Sequence, residues 1–335
     1  MSRARTLTVT AASVLAAVVL AGCGGSGGTS KDDLGAAEPA TSPELSGKPD
    51  GTVAKIGAAP QGIVYDAATD QLAVAVRKPY RLLVVDPRTY AVKRSVEVPG
   101  KVRHLQVSSP GGDVLVPSET ANTLYQVPLT ANGKVLSTKV PEHPHDATAG
   151  DGYVISGDEF AGSITFIKGD QVVKTLSDLK QPGGVVADND GHAIAVDVGD
   201  FTVTSYDTRT LTRTKRLPAG EGPTHGVLTG NGKLAVTDTR GDHLILYSVD
   251  PLKQTDSIDV PGSPYGLTAD TQSHIVWTTL TGKNKVVGYD VSGDTPRKVA
   301  EYDTVRQPDT VAVSPGSKTL WITGTDDGVI QRIDR

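Results

Sequence analysis

A chain of 335 residues has room for one large domain or two ordinary ones, and 33 basic against 38 acidic residues leave a formal net charge of -5. No long basic tract occurs, so no nucleic-acid partner is expected. A single cysteine, Cys23, excludes an intramolecular disulfide, and 4% aromatic content throws the core onto Val, Leu, Ile and Ala.

Arg3 and Arg5 form a positive n-region, and residues 7–20 supply an apolar h-region. This is a secretory signal, too short and wrongly flanked for a lasting transmembrane helix. Its end, Leu20-Ala21-Gly22-Cys23, resembles the lipobox of bacterial lipoproteins. The resemblance implies a signal peptide over 1–22, a lipidated Cys23 and an extracytoplasmic protein anchored to the cell membrane. Residues 24–50 are rich in Gly, Ser, Pro, Ala and Thr and show no apolar period. The reading is a flexible stalk over 23–50, because such a composition cannot bury enough surface to offset ordering.

From residue 51 onward the chain repeats. A leading turn of Pro, any residue, then a small or polar residue starts at Pro60, Pro144, Pro182, Pro223, Pro264 and Pro308. A seventh copy, Val102-Arg103-His104, keeps the position without the proline. A period of about 40 residues points to a propeller blade or a helical solenoid. In the first copy the turn precedes short apolar runs at 63–65, 72–76, 82–85 and 92–98, each bounded by turn residues. Four runs of strand length per period exclude the solenoid and predict a four-stranded blade.

Later copies follow suit, and the third run often ends on Asp: Asp86, Asp207, Asp250, Asp290 and Asp334. Those carboxylates read as turn formers, bonding backbone two residues on. The seventh copy stops after three runs, and residues 51–57 stand at the spacing of the missing fourth. The expectation is therefore an all-β, seven-bladed propeller over 51–335, its ring closed by an N-terminal strand completing the last blade.

The repeats resemble those of the YVTN and NHL-type seven-bladed propellers. The stretches from Trp277-Thr278 to Tyr289-Asp290 and from Trp321 to Asp334 resemble the repeat of the virginiamycin B lyase-like and gluconolactonase-like propellers. In such folds the leading turns and the loops between second and third strands share one face, called the top here. The second residues of the seven turns are Gln61, Arg103, His145, Gly183, Thr224, Tyr265 and Asp309, and His104, Asp146 and His225 follow in third position. His143 stands one step before its turn. Loops on the same face add Glu119, Asp158, Glu159, Asp197, Asp200, Asp238, Asp242 and His243. His192 and His274, in turns on the other face, read as solvated.

Three functions fit. The favoured one is a monomeric binding module whose ligand meets Arg103, His104, His145, Asp146, Thr224, His225, Tyr265 and Asp309. Acidic loops of blades three to five, set against Arg77, Lys78, Tyr80, Arg103, Lys283 and Lys285, would steer a charged protein, peptide or glycan. The second is a zinc-type divalent metal site or carrier built from His104, His145 and His225 with Asp146, Asp197 or Asp238, since imidazole and carboxylate suit that ion. The third, implied by the resemblance, is a metal-assisted lactonase or lyase with His145 or His225 as acid/base. Against it, the sequence has no convincing Glu-and-Asn metal set and no Ser-His-Asp arrangement.

Overall fold

The computed structural model describes residues 35–130 and 132–335. Cys23, the signal segment and the stalk up to residue 34 lie outside the described residues. From Thr52 onward the chain forms seven four-stranded antiparallel sheets arranged as a seven-bladed β-propeller. Within six of the blades the strands follow chain order from inside to outside. The seventh takes its outermost strand, Thr52–Lys55, from the start of the ring. It pairs with Val329–Asp334 in the register Thr52 to Arg332 and Lys55 to Val329. Gly51 makes this seam possible: its φ is +67°, and a Cβ there would stand 2.0 Å from the Arg332 carbonyl oxygen.

The burial pattern explains the composition. Second strands such as Gln71–Val76 are buried almost throughout, whereas fourth strands such as Lys253–Asp259 are largely exposed. Apolar side chains collect at the seams between neighbouring blades. Leu72, Val74 and Val85 of blade one pack with Ala312, Trp321 and Ile330 of blade seven, and Ile155 and Phe166 of blade three with Val185 and Tyr206 of blade four. Each fully buried Val, Leu or Ile contributes about 1.5–3 kcal/mol. The two tryptophans sit in the second strands of blades six and seven and seal consecutive seams. Trp277 donates to Ser317 Oγ at 3.2 Å, and Trp321 stacks on Tyr65 with ring centroids 4.6 Å apart. Asp86, Asp207 and Asp290 accept backbone N–H groups two residues on, so these turn aspartates are structural.

Two features differ from the sequence reading. First, in blades three to seven the leading Pro-x-small motif is the bulged beginning of the innermost strand rather than a free turn. In blade three Pro144 pairs with Asp158 and Asp146 with Gly157, leaving His145 out of register. The same slip passes over Gly183, over Thr224 and His225, over Tyr265 and Gly266, and over Asp309. A bulge re-aims the side chains it skips.

Second, residues 35–50, expected as part of a flexible stalk, lie along the top face over blades five to seven. Ser42 is buried; its Oγ donates to Thr281 O at 2.7 Å, and its backbone N–H donates to Gln307 Oε1 at 3.1 Å. Asn284 donates to Pro43 O, and Glu44 pairs with Arg306. The segment has no apolar period because polar bonds to blade residues hold it in place.

Candidate functional site

Side chains of the leading motifs converge at the top of the axis. His225 Nδ1 lies 2.9 Å from the Tyr265 carbonyl oxygen, so that nitrogen carries the proton and donates. Its Nε2 is then an acceptor, and His104 Nε2 at 3.1 Å donates to it. The ring of His145 stands 4.8 Å from that of His104, centroid to centroid, and Tyr265 meets His225 edge to face. Burial, with the neighbouring His145 and Arg103, lowers His225 to about 3, and burial beside His225 and His145 takes His104 well below the usual histidine range. Both imidazoles are neutral at neutral pH.

Below these histidines the axis opens into a cavity of about 850 Å3, lined by the innermost strands and reaching the turns of the opposite face. His104, His225 and Asp146 line its upper end. Burial pushes Asp146 up to about 6, although the backbone N–H groups of Val185 and Ala147 and the Gln106 amide bond to it. The opposite-face histidines are partnered: His192 Nδ1 lies 2.8 Å from Asp188 Oδ2, and His274 donates to Thr229 O.

A second ring of equivalent positions completes the top face. It consists of the residue just after the second strand of each blade: Arg77, Glu119, Glu159, Val198, Thr239, Thr281 and Thr325. In every blade its N–H bonds a carbonyl shortly before the leading motif, as Glu159 N does with His143 O at 2.8 Å. In blades five and seven Thr239 and Thr325 donate to Pro264 O and Pro60 O, the leading prolines of the next blades. In blades one to three the same positions carry charge. Glu119 and Glu159 were visible in the sequence only as two loop acids among many; the signal that singles them out is their equivalence to those threonines.

Glu119 is fully buried and ion-paired with Lys101 at 2.8 Å and Arg103 at 3.3 Å. Glu159 Oε2 lies 2.9 Å from His145 Nδ1 and 3.0 Å from His143 Nδ1, while its Oε1 accepts from Gln181. Burial opposes the charge on Glu159, but the His145 bond and charge, with Gln181 and His143, outweigh it and hold the carboxyl at about 2. Phe160, exposed, stacks on His143 with centroids 4.0 Å apart. Burial disfavours the charge on Arg103, yet Tyr265, Glu119 and the strap residue Glu38 raise its pKa above the ordinary value. Arg77 stands close enough for Arg103 to help burial depress its pKa, and its Nε and Nη2 are buried without a hydrogen-bond partner.

The other expected site residues are engaged elsewhere. Asp197 accepts four backbone N–H groups, from Lys180, Gln181, Gly199 and Asp200. Asp238 accepts three, from Glu221, Gly222 and Gly241. Both brace loops, so the structure does not bring these carboxylates to the three histidines. Thr224 bonds Thr237 and Thr239, and Asp309 accepts from Gln307 and Gln61.

No family model matches the chain, and no curated protein matches it. Solved structures do. Virginiamycin B lyase from Staphylococcus aureus superposes with a TM-score of 0.71 at 16% identity, covering 85% of this chain and 99% of that one. A chain of Kuenenia stuttgartiensis hydrazine synthase gives 0.71 at 15%, covering 88% and 99%. A chain of the mitotic checkpoint complex gives 0.74 at 13%, covering 89% and 96%. The likeness is one of fold. Proteins so different in role share it because a propeller supports many sites.

Proposed function

We propose that this protein is a binding propeller, tethered outside a bacterial membrane through Cys23, whose top face captures an acidic peptide segment. The observation that carries the reading is Arg77. This guanidinium is half-buried, its Nε and Nη2 are shut from solvent without a partner, and an incoming carboxylate would relieve that cost. Next to it, Arg103 already holds one carboxylate from an extended stretch of chain, that of Glu38 at 3.3 Å. That pairing supports an acidic, extended ligand for this face. The activity named for the lyases stays with those proteins, since the shared fold does not carry it.

A fluorescent acidic hexapeptide titrated into the full chain tests this. Binding that weakens with salt, is lost in Arg77→Ala and tightens in Glu38→Gln is expected; equal binding of a neutral peptide would sink the proposal. The anchor is tested separately: Cys23→Ser should move the protein from the membrane fraction to the soluble one.

A further inference from the structure

The pit between blades two and three does not need the acidic ligand and is built for a different guest. Four side chains from two adjacent blades meet there. Glu119 and Glu159 come from equivalent positions after second strands, and His143 and His145 from one leading motif. Donor atoms of Glu119, His143 and His145 all lie within 4.8 Å of one another, and Glu159 Oε2 sits against both imidazoles.

We infer that this pit is a divalent-metal site in which His143, His145, Glu119 and Glu159 coordinate a zinc-type ion. The separations suit it. A tetrahedral ion with bonds of about 2.0–2.2 Å sets its donors roughly 3.3 Å apart. Here Glu159 Oε2 is 3.0 Å from His143 Nδ1 and 2.9 Å from His145 Nδ1, and His145 Nδ1 is 3.4 Å from Glu119 Oε1. His143 meets Glu159 through Nδ1 and Glu119, at 3.6 Å, through Nε2, so one of its nitrogens must turn to the shared ion, and the Glu119, His143 and His145 donors, up to 4.8 Å apart, must draw in around it. Two imidazoles and two carboxylates are a mixed set that favours zinc and neighbouring first-row ions over calcium or magnesium.

A second observation is independent of these distances. The Glu119 carboxylate is wholly buried, yet neither oxygen receives a hydrogen bond of ordinary geometry. Lys101 and Arg103 pair with it electrostatically but leave its lone pairs underused. Around the donors, Gln181 holds Glu159 through the other oxygen, Asn122 Oδ1 accepts the His143 backbone N–H, and Phe160 stacks on the imidazole of His143. Such outer partners orient ligands before an ion arrives. The two cations beside Glu119 oppose the ion's charge, so binding is expected to be reversible. This set differs from the axial histidines: only His145 is common to both.

The test uses full-length protein stripped with a chelator and titrated with Zn2+ by calorimetry and with Co2+ by visible absorption. One equivalent of each is expected, with the strong Co2+ bands of a four-coordinate N/O site. Glu159→Gln and His143→Ala should each weaken binding at least about tenfold, whereas His225→Gln should bind like the parent. Melting without metal checks that each variant is folded; Glu159→Gln, nearly isosteric, is the variant least open to folding failure. No saturable binding, or binding lost in His225→Gln and kept in Glu159→Gln, overturns the assignment. Loss of acidic-peptide binding with metal binding intact would strike only the functional proposal above, because Arg77 is not a ligand.

Discussion

Blades one to three and blades five to seven answer the same architectural demand with different chemistry. The residue after each second strand must offer its N–H to the chain preceding the leading motif. In blades five and seven that residue is a threonine whose hydroxyl ties one blade to the next proline carbonyl, and in blade six Thr281 bonds Ser263 O. The strap from Gly35 to Asp50 covers this half. In blades one to three the position carries Arg77, Glu119 and Glu159, which leave those inter-blade bonds unmade and form the pit and the unpartnered cation. Blade four, with Val198, is the apolar divide. The backbone of the ring is uniform, and the two halves differ in the side chains set at this one position.

The comparison breaks most severely at a loop acid of the structural kind. Asp197→Ala would strand four backbone donors, two of them shorter than 3.0 Å from the carboxylate. Unsatisfied buried N–H groups cost about 1–3 kcal/mol each, so a loss of roughly 3 kcal/mol or more is expected in urea unfolding. Zinc affinity of the folded fraction should be unchanged. A stable Asp197→Ala protein that no longer binds metal would reverse the roles assigned to the two kinds of acid.

A milder change probes the threonine half. Thr239 Oγ1 donates to Pro264 O at 2.6 Å and meets Thr224 Oγ1 at 2.6 Å. Thr239→Val keeps the shape and removes both bonds, so about 1–2 kcal/mol should be lost. Glu159→Gln, at the equivalent place in blade three, should cost less stability while weakening metal binding at least about tenfold. Equal stability losses at the two positions would mean that Glu159 is structural after all.

Most of the ring was legible in the sequence. Repeat spacing, β-branched runs and the displaced first strand sufficed, because each depends on local pattern and closure. The leading motifs were legible as positions facing the channel mouth, where His104, His145, His225 and Tyr265 meet, but their bulged geometry was not. What stayed hidden was the direction of each acid. Asp197 and Glu159 lie one position apart in the repeat, yet one turns to backbone amides and the other to imidazoles. The strap was hidden for a related reason. Its anchoring bonds run between residues as remote as Ser42 and Gln307, and composition carries no trace of them.

The smallest effect separates the axial histidines from both halves. Their leading motifs put titratable groups where blade four puts Gly183 and Gly184. His225, facing His104, the Tyr265 carbonyl, and the charges of Arg103 and His145, titrates at about 3 in the fold, against 6.5 for an unperturbed histidine. The unfolded chain therefore takes a proton below pH 6.5 that the folded one refuses. Stability from this group is complete above that pH and declines as pH falls towards 3. Between pH 7.5 and 5.5 the loss is about 1 kcal/mol. Asp146, raised to about 6, works in the opposite sense, since its burial penalty is relieved once it is protonated. The total pH slope would blur the two, so the informative quantity is a difference. Urea midpoints at both pH values should show a drop about 1 kcal/mol smaller in His225→Gln than in the parent. An equal drop in both proteins would show that His225 accepts a proton within the fold, and the hydrogen-bond order from His104 through His225 to the Tyr265 carbonyl would have to be redrawn.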